Sequence, residues 1–265
     1  MQRRVSIIMP CYNDGQYLED SIGSVLAQDY GDIELVIADD DSTDDFTQRY
    51  LRELAALAAP RIRVLFLVHG GPAYARNRAI EAATGDYLLP LDADDMIEPP
   101  YVREAAAVLD AEPRTGMVYC HADQFGAQTG PWELPDFEIG RFLCVNSIFN
   151  AAMYRKLDWQ RAGGYDESIV DGPEDWEFWL SLLELGLRPH RLDGTYFHYR
   201  RKEGAARSQT EFHLEKWLAM VLGFAEKHRR LYEQHLLDYV AACGSSRVEA
   251  INCIQRLQTA LRERQ

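Results

Sequence analysis

Three carboxylates end the stretch YLLPLDADDMI: Asp92, Asp94 and Asp95, with only Ala93 among them. An apolar run carries the chain into a sheet and stops at these acids. Carboxylates so close repel one another, and one of them holds its proton unless a cation sits between them. On a regular strand Asp92 and Asp94 would face the same side. There they could jointly hold a hard divalent cation through oxygen. The plain structural alternative is that Asp94 or Asp95 caps the next helix.

Other clusters carry chemistry of the same kind. In VIADDDSTDD, Asp39 directly follows an apolar run, and its carboxylate could accept from the N3–H of a uracil or thymine ring. Ser42, Thr43 and Asp44 suit helix N-caps. In PCYND, Tyr12 could offer an aromatic face to the same base, while Asn13 and Asp14 could equally be turn residues. GGPAYARNRAI puts Arg76 and Arg78 on a helix after a glycine turn, and Arg76 could reach a phosphate or a neighbouring aspartate. DGPEDWEFWLSL sets Glu174 and Asp175 in the first turn of an amphipathic helix, where the dipole favours acids in any case. The functional alternative is a general base, kept ionised by that dipole and by a nearby metal. GxxxxGK and GxGxxG are both absent, which excludes those phosphate loops.

These clusters need elements to bring them together. RVSIIM, IELVIA, RVLFLV and DYLLPL read as strands, separated by stretches of helical periodicity. Short links between strictly alternating strands and helices call for a mostly parallel, Rossmann-like sheet flanked by helices. Four of the clusters, PCYND, DDDSTDD, GGPAYARNR and DADD, follow these four strands in turn, and ligands of such sheets bind beyond the carboxyl ends. After residue 100 the pattern loosens. GMVYC reads as a strand, HADQFGAQTGPWELPDFEIG as loop, NSIFNAAMYR as a strand and PEDWEFWLSLLELG as a helix. Residues 1–98 are expected to be a ligand-binding half of one domain, and 99–210 its other half, which carries the Glu174–Asp175 pair. Residues 211–265 make a C-terminal helical extension.

The net charge of −14 argues against nucleic acid as a partner. The five cysteines, Cys11, Cys120, Cys144, Cys243 and Cys253, are scattered with no CxxC pair, as expected of reduced thiols in the cytoplasm. The N-terminal stretch is not patterned as a signal peptide, and no apolar run reaches membrane-spanning length. Residues 211–265 carry eight Lys/Arg and seven Asp/Glu, so the negative charge lies earlier. That tail is expected to pack on the body, although it could also dimerise or touch the inner face of a membrane.

Taken together, VSIIMPCYND, LVIADDDSTDD, GPAYARNRAIEAATGDYLLPLDADD, AGGYDES and PEDWEFWLSLLELG closely resemble the family 2 inverting glycosyltransferases of the GT-A fold. The resemblance implies a nucleotide-sugar donor, UDP-linked by expectation, Mn²⁺ or Mg²⁺, and transfer of one sugar with inversion. The acceptor would be a hydroxyl of a glycan or lipid-linked saccharide, as in cell-surface polysaccharide synthesis. By matching position, Pro10, Tyr12 and Asn13 would line the nucleoside pocket and Asp39 would read the base edge. Arg76 would help hold the nucleotide side. Asp92, with Ala93 beside it, would contact ribose or metal, and Asp94 would bind the metal. Asp175 would deprotonate the acceptor.

Two positions depart from the family pattern. Asp41 stands where glycine is usual, so the local turn is expected to differ. Lys202 in HYRRKEG stands where many members carry histidine, and its ammonium could neutralise a leaving diphosphate. The QxxRW signature of processive synthases is missing. A sugar nucleotidyltransferase and a non-catalytic nucleotide-sugar-binding module are the rival readings. For an acceptor ring, Trp132 is a better stacking candidate than Trp176 or Trp179, which read as core.

Overall fold

The computed structural model describes residues 2–169, 172–203 and 214–243. Its residues group into two compact units, Met1–Glu133 with Phe149–Glu203, and Leu134–Ile148 with Gly204–Gln265.

In the first unit, β1 (Val5–Cys11), β2 (Ile33–Asp39), β3 (Ile62–Phe66) and β4 (Tyr87–Pro90) lie parallel in the order β3-β2-β1-β4. Val5, Ile7, Ile8, Val36 and Ile37 are fully buried. Strands covered on both faces read as unbroken apolar runs, and these do. Helices α1 (Leu18–Leu26), α2 (Asp45–Ala56) and α3 (Gly71–Ala82) supply the crossovers. The register pairs Cys11 with Asp39 and Ile8 with Pro90, so the segments that follow all three strands leave the sheet at one edge.

Beyond β4 the sheet is mixed rather than parallel. Its order continues β4-β8-β6-β9-β5, with β8 (Met153–Arg155) antiparallel to both neighbours and β6 (Thr115–Gly126) parallel to β9 (Arg188–Arg201). The two-residue β5 (Met96–Ile97) is antiparallel to β9, and β7 (Gly130–Trp132) is antiparallel to β6. Helices α4 (Pro100–Ala111), α6 (Lys156–Ala162) and α7 (Glu174–Glu184) complete the unit. Trp176 and Trp179 are core, as expected, at 2 % and 0 % exposure.

Two expectations change here. β6 runs on through HADQFG, because those residues ladder against Thr195–Arg201 of β9. Of NSIFNAAMYR only the last three residues are strand. Phe149, Ala151 and Ala152 are apolar because their loop is buried, not because they alternate in a sheet.

The second unit contains α5 (Ile139–Phe142), α8 (Leu214–Lys227), α9 (Arg229–Gln234) and α10 (Leu236–Cys243). The Tyr232 hydroxyl donates to the Leu143 carbonyl at 2.9 Å, and Gly140 lies so close to the Asp238 backbone that a Cβ would overlap it. Among the described residues no helix is long and apolar enough to cross a membrane. The helical expectation for 244–265 lies outside the described residues.

Candidate active site

β4 stops at Pro90, and residues 92–95 form a turn closed by the Asp95 N–H on the Asp92 carbonyl at 3.1 Å. Strand alternation therefore does not set the acids, and each finds a different partner. Asp95 is fully buried and accepts the backbone N–H of Arg200 at 2.8 Å, which locks the turn to β9. Burial, reinforced by Asp94 and Asp92, pushes its pKa well above the carboxylate range. Neither Asp94 nor Asp95 caps a helix. Ala93 is buried, and its carbonyl accepts from Ser21 at 2.8 Å.

Asp94 faces Lys202, one residue past the end of β9. The ammonium lies 2.9 Å from Asp94 Oδ2 and 2.6 Å from Asp14 Oδ1. Burial works against the lysine's charge, but Asp14 and Asp94 outweigh it and raise its pKa, so it is protonated at neutral pH. Arg200 is fixed close by, with Nε on the Asp94 carbonyl at 2.7 Å and Nη2 on Asp20 at 2.7 Å.

Asp92 faces the other way, toward Arg76. That guanidinium is 3 % exposed and places Nη2 2.8 Å from Asp92 Oδ1, while Nη1 donates to Glu174. Of the two partners the sequence offered Arg76, a phosphate or a neighbouring aspartate, the aspartate is the one met here, and both prongs of the fork are committed to protein carboxylates. It ties the acidic turn to the start of α7. The next residue, Asn77, ties α3 to the GGYDE turn: its side-chain amide donates to the Tyr165 carbonyl at 2.9 Å and its oxygen accepts the Tyr165 N–H at 3.0 Å.

Asp175 is half-buried in the first turn of α7, with Oδ1 accepting the Trp176 N–H at 2.6 Å. Burial first, and then the charge of Glu174, raise its pKa to about 7, against the lowering pull of Arg76. Against the ionising pull expected of the helix dipole and a nearby metal stand burial and Glu174, which bring the group close to neutrality. A group poised there can both take and release a proton at working pH.

The strand ends β1 and β2 build the adjoining wall. Asp39 is 5 % exposed and accepts the Ser42 N–H at 3.1 Å. Asn13 has φ 58°, and its Oδ1 accepts the N–H groups of Thr43 at 2.8 Å and Asp44 at 3.1 Å. It clamps the two loops together. Asp44 caps α2, accepting Thr47 N–H at 2.8 Å. Asp41 adopts φ 62°, so the turn keeps the left-handed form that glycine favours although glycine is absent. Tyr12 is 44 % exposed and lies 4.9 Å from the His69 ring. Pro10 is half-buried at the end of the same strand.

Sequence reasoning missed Asp40 and His69. The Asp40 carboxylate accepts Gly70 N–H at 2.8 Å and Gly71 N–H at 2.9 Å and contacts His69 Nδ1 at 3.0 Å. Gly71 sits at φ 85°, so the glycine pair makes a left-handed start to α3 that this aspartate holds. The signal was the second acid of DDD, one place past the strand. His198 lies between Asp123 and Glu98, at 2.5 Å and 2.8 Å. Burial opposes its charge, but the two carboxylates raise its pKa. Trp132 stacks near Tyr199, with centroids 4.9 Å apart, on the strand that delivers Lys202.

Whether the acidic turn suits a divalent ion depends on its donors. Asp92 and Asp94 offer carboxylate oxygens, and Mg²⁺ or Mn²⁺ takes one or two of these when phosphate supplies the rest. Among the described residues no group of three or more His, Cys, Asp or Glu could hold a metal. The donor set fits an ion that arrives with a diphosphate, not one caged by protein alone.

A family model described as "Glycosyl transferase family 2" matches residues 6–167. The EpsE protein of Bacillus subtilis is 31 % identical over 215 residues, 76 % of this chain and 74 % of that protein. The chain spans only 23 %, 16 % and 19 % of the length of three other curated relatives, the last of them a chondroitin synthase of Pasteurella multocida. Among solved structures, S. aureus TarS 1-349 in complex with UDP-GlcNAc superposes with TM-score 0.66 at 20 % identity, over 91 % of this chain and 79 % of that one. The mannosyltransferase PcManGT from Pyrobaculum calidifontis, in complex with GDP-Man and Mn²⁺, gives 0.64 at 22 %, over 98 % and 81 %. At these identities the likeness carries the fold, GT-A, as the resemblance implied.

Proposed function

Since the chain belongs to glycosyl transferase family 2, we propose that it moves one sugar from a nucleotide-sugar to an acceptor hydroxyl with inversion at the anomeric carbon. The observation that carries this is that Arg76 pairs both with Asp92 of the acidic turn and with Glu174, the residue before the half-buried Asp175. A phosphate-facing acidic turn and a poised base in one cleft are what direct displacement requires. The GDP-Man and UDP-GlcNAc of the two structural neighbours support a nucleotide-sugar donor, and UDP-linked remains the reading here.

The donor base lies against Tyr12, with Asp39 at its edge and Pro10 and Asn13 shaping the wall. Asp92 and Asp94 would hold a Mn²⁺ or Mg²⁺ ion, which when bound neutralises charge growing on the leaving diphosphate. Lys202 adds a second positive charge on that side. Trp132 and Tyr199 offer an aromatic face to an acceptor ring. The Asp175 carboxylate takes the acceptor O–H proton, a contribution of roughly 10²–10⁴-fold. The acceptor oxygen bonds to the anomeric carbon as the carbon–oxygen bond to the diphosphate breaks, and the nucleoside diphosphate leaves with the electron pair. A single carboxylate suffices for this step, whereas retention would need a nucleophilic second one. The acceptor is a glycan or lipid-linked saccharide, met in the cytoplasm or at the inner face of a membrane.

Incubating the protein with a panel of nucleotide-sugars, Mn²⁺ and saccharide acceptors should release free nucleoside diphosphate. Release of pyrophosphate from a sugar phosphate and a nucleoside triphosphate would support a nucleotidyltransferase instead. Donor binding without turnover across the panel would support a binding module.

A further inference from the structure

The acidic turn meets three cations, Lys202, Arg200 and Arg76, and only the first is placed to leave. We infer that Lys202 is a removable counter-ion: its ammonium holds Asp14 and Asp94 together in the free enzyme, keeps a divalent ion off Asp94 until the donor arrives, and then transfers to the diphosphate. This rests on the proposed donor site.

Asp14 follows β1 and Asp94 follows β4, so the two carboxylates reach the same ammonium from different strand ends. Nζ is 2.6 Å from one and 2.9 Å from the other. An ammonium and a hard cation compete for the same carboxylate oxygens, because both interact through charge at oxygen. The Asp94 side chain is only 14 % exposed, which leaves few directions from which a second cation could approach. Asp94 therefore cannot keep this ion pair and also ligate a metal freely.

The neighbouring cations are not built to move. Arg200 is held by its backbone N–H on Asp95, its Nε on the Asp94 carbonyl and its Nη2 on Asp20, with Tyr17 and Phe125 rings 4.7 Å and 4.3 Å from its guanidinium carbon. Arg76 is clasped by Asp92 and Glu174. Lys202 lies past the end of β9, is 33 % exposed, and touches its partners through one atom at the end of a flexible stem. The diphosphate of a nucleotide-sugar brings two negative charges, as many as Asp14 and Asp94 carry together, and an ammonium on a flexible stem can swing across to them and free Asp94. Metal and donor then load together.

Titrating Mn²⁺ into the protein without nucleotide, by calorimetry or by electron paramagnetic resonance of the free ion, tests this directly. Wild type should bind Mn²⁺ weakly, and Lys202→Met at least about tenfold more tightly, the lower end for a close charge pair. Lys202→Arg, which keeps the charge, should stay as weak as wild type. Adding Asp94→Asn to Lys202→Met should abolish the gain, which separates this site from adventitious binding to an acidic surface. With UDP or GDP present, wild-type Mn²⁺ affinity should rise sharply. Equal affinity of wild type and Lys202→Met for Mn²⁺ alone, with nucleotide binding intact, overturns the counter-ion role only. Failure of wild type to bind any nucleotide, with or without Mn²⁺, overturns the donor-site reading and this inference together.

Discussion

Arg76 and Lys202 both balance acids at the end of β4, yet they do so in opposite ways. Arg76 is 3 % exposed and spreads its charge over Asp92 and Glu174 through a rigid fork. Lys202 is 33 % exposed and meets Asp14 and Asp94 through one atom. A planar guanidinium suits permanent bidentate pairing, whereas an ammonium on a four-carbon stem is a point charge that can be handed over. The Asp92 side of the turn is thus built to stay, and the Asp94 side, where the proposed donor phosphates would lie, is built to exchange. One stretch of four residues serves both because its turn sends Asp92 and Asp94 to different partners.

Removing each cation should widen the contrast. Arg76→Met leaves the buried Glu174 without its counter-charge and beside the partly exposed Asp92. It should cost about 3–5 kcal/mol of stability and lower the melting temperature by roughly 6–20 °C. The next effect concerns Asp175. Below a pH of about 7 its carboxyl is protonated and cannot accept, so kcat/KM should fall about tenfold per pH unit on the acid side. Arg76 lowers that pKa, so Arg76→Lys, which weakens the paired charge without abolishing it, should displace the acid limb to higher pH. A profile unchanged in the variant would detach Arg76 from the base. The smallest effect is that of Lys202→Met on stability. Removing a partly exposed ion pair should cost about 1 kcal/mol or less by chemical denaturation, because Asp14 and Asp94 regain water. A loss as large as that of Arg76→Met would erase the distinction.

What the sequence made legible follows from range. Strands β1, β2 and β4 were readable because burial on both faces leaves continuous apolar runs, and the acids after these runs marked one edge of the sheet. Asp44 as a cap and Trp176 and Trp179 as core needed only local chemistry and helical spacing. What escaped depends on partners far along the chain. Lys202 reaches Asp14 across 188 residues, and Arg76 reaches Glu174 across 98. Spacing alone could not show that Arg76 is clasped by acids instead of open to phosphate. The extension of β6 through HADQFG was hidden for a related reason, since half-exposed polar residues become strand only when β9 lies beside them. Asp41 shows the converse: a departure from the family pattern suggested a different turn, yet aspartate tolerates the left-handed region well enough to preserve it.

The central claim is that Asp175 takes the proton while the turn at residues 92–95 holds the donor. Donor affinity by calorimetry and transfer rate, measured side by side for wild type and Asp175→Asn, test it most directly. The account predicts unchanged donor affinity and a rate at least about 100-fold lower. Near-normal transfer by the variant, or loss of donor binding in step with rate, would contradict it.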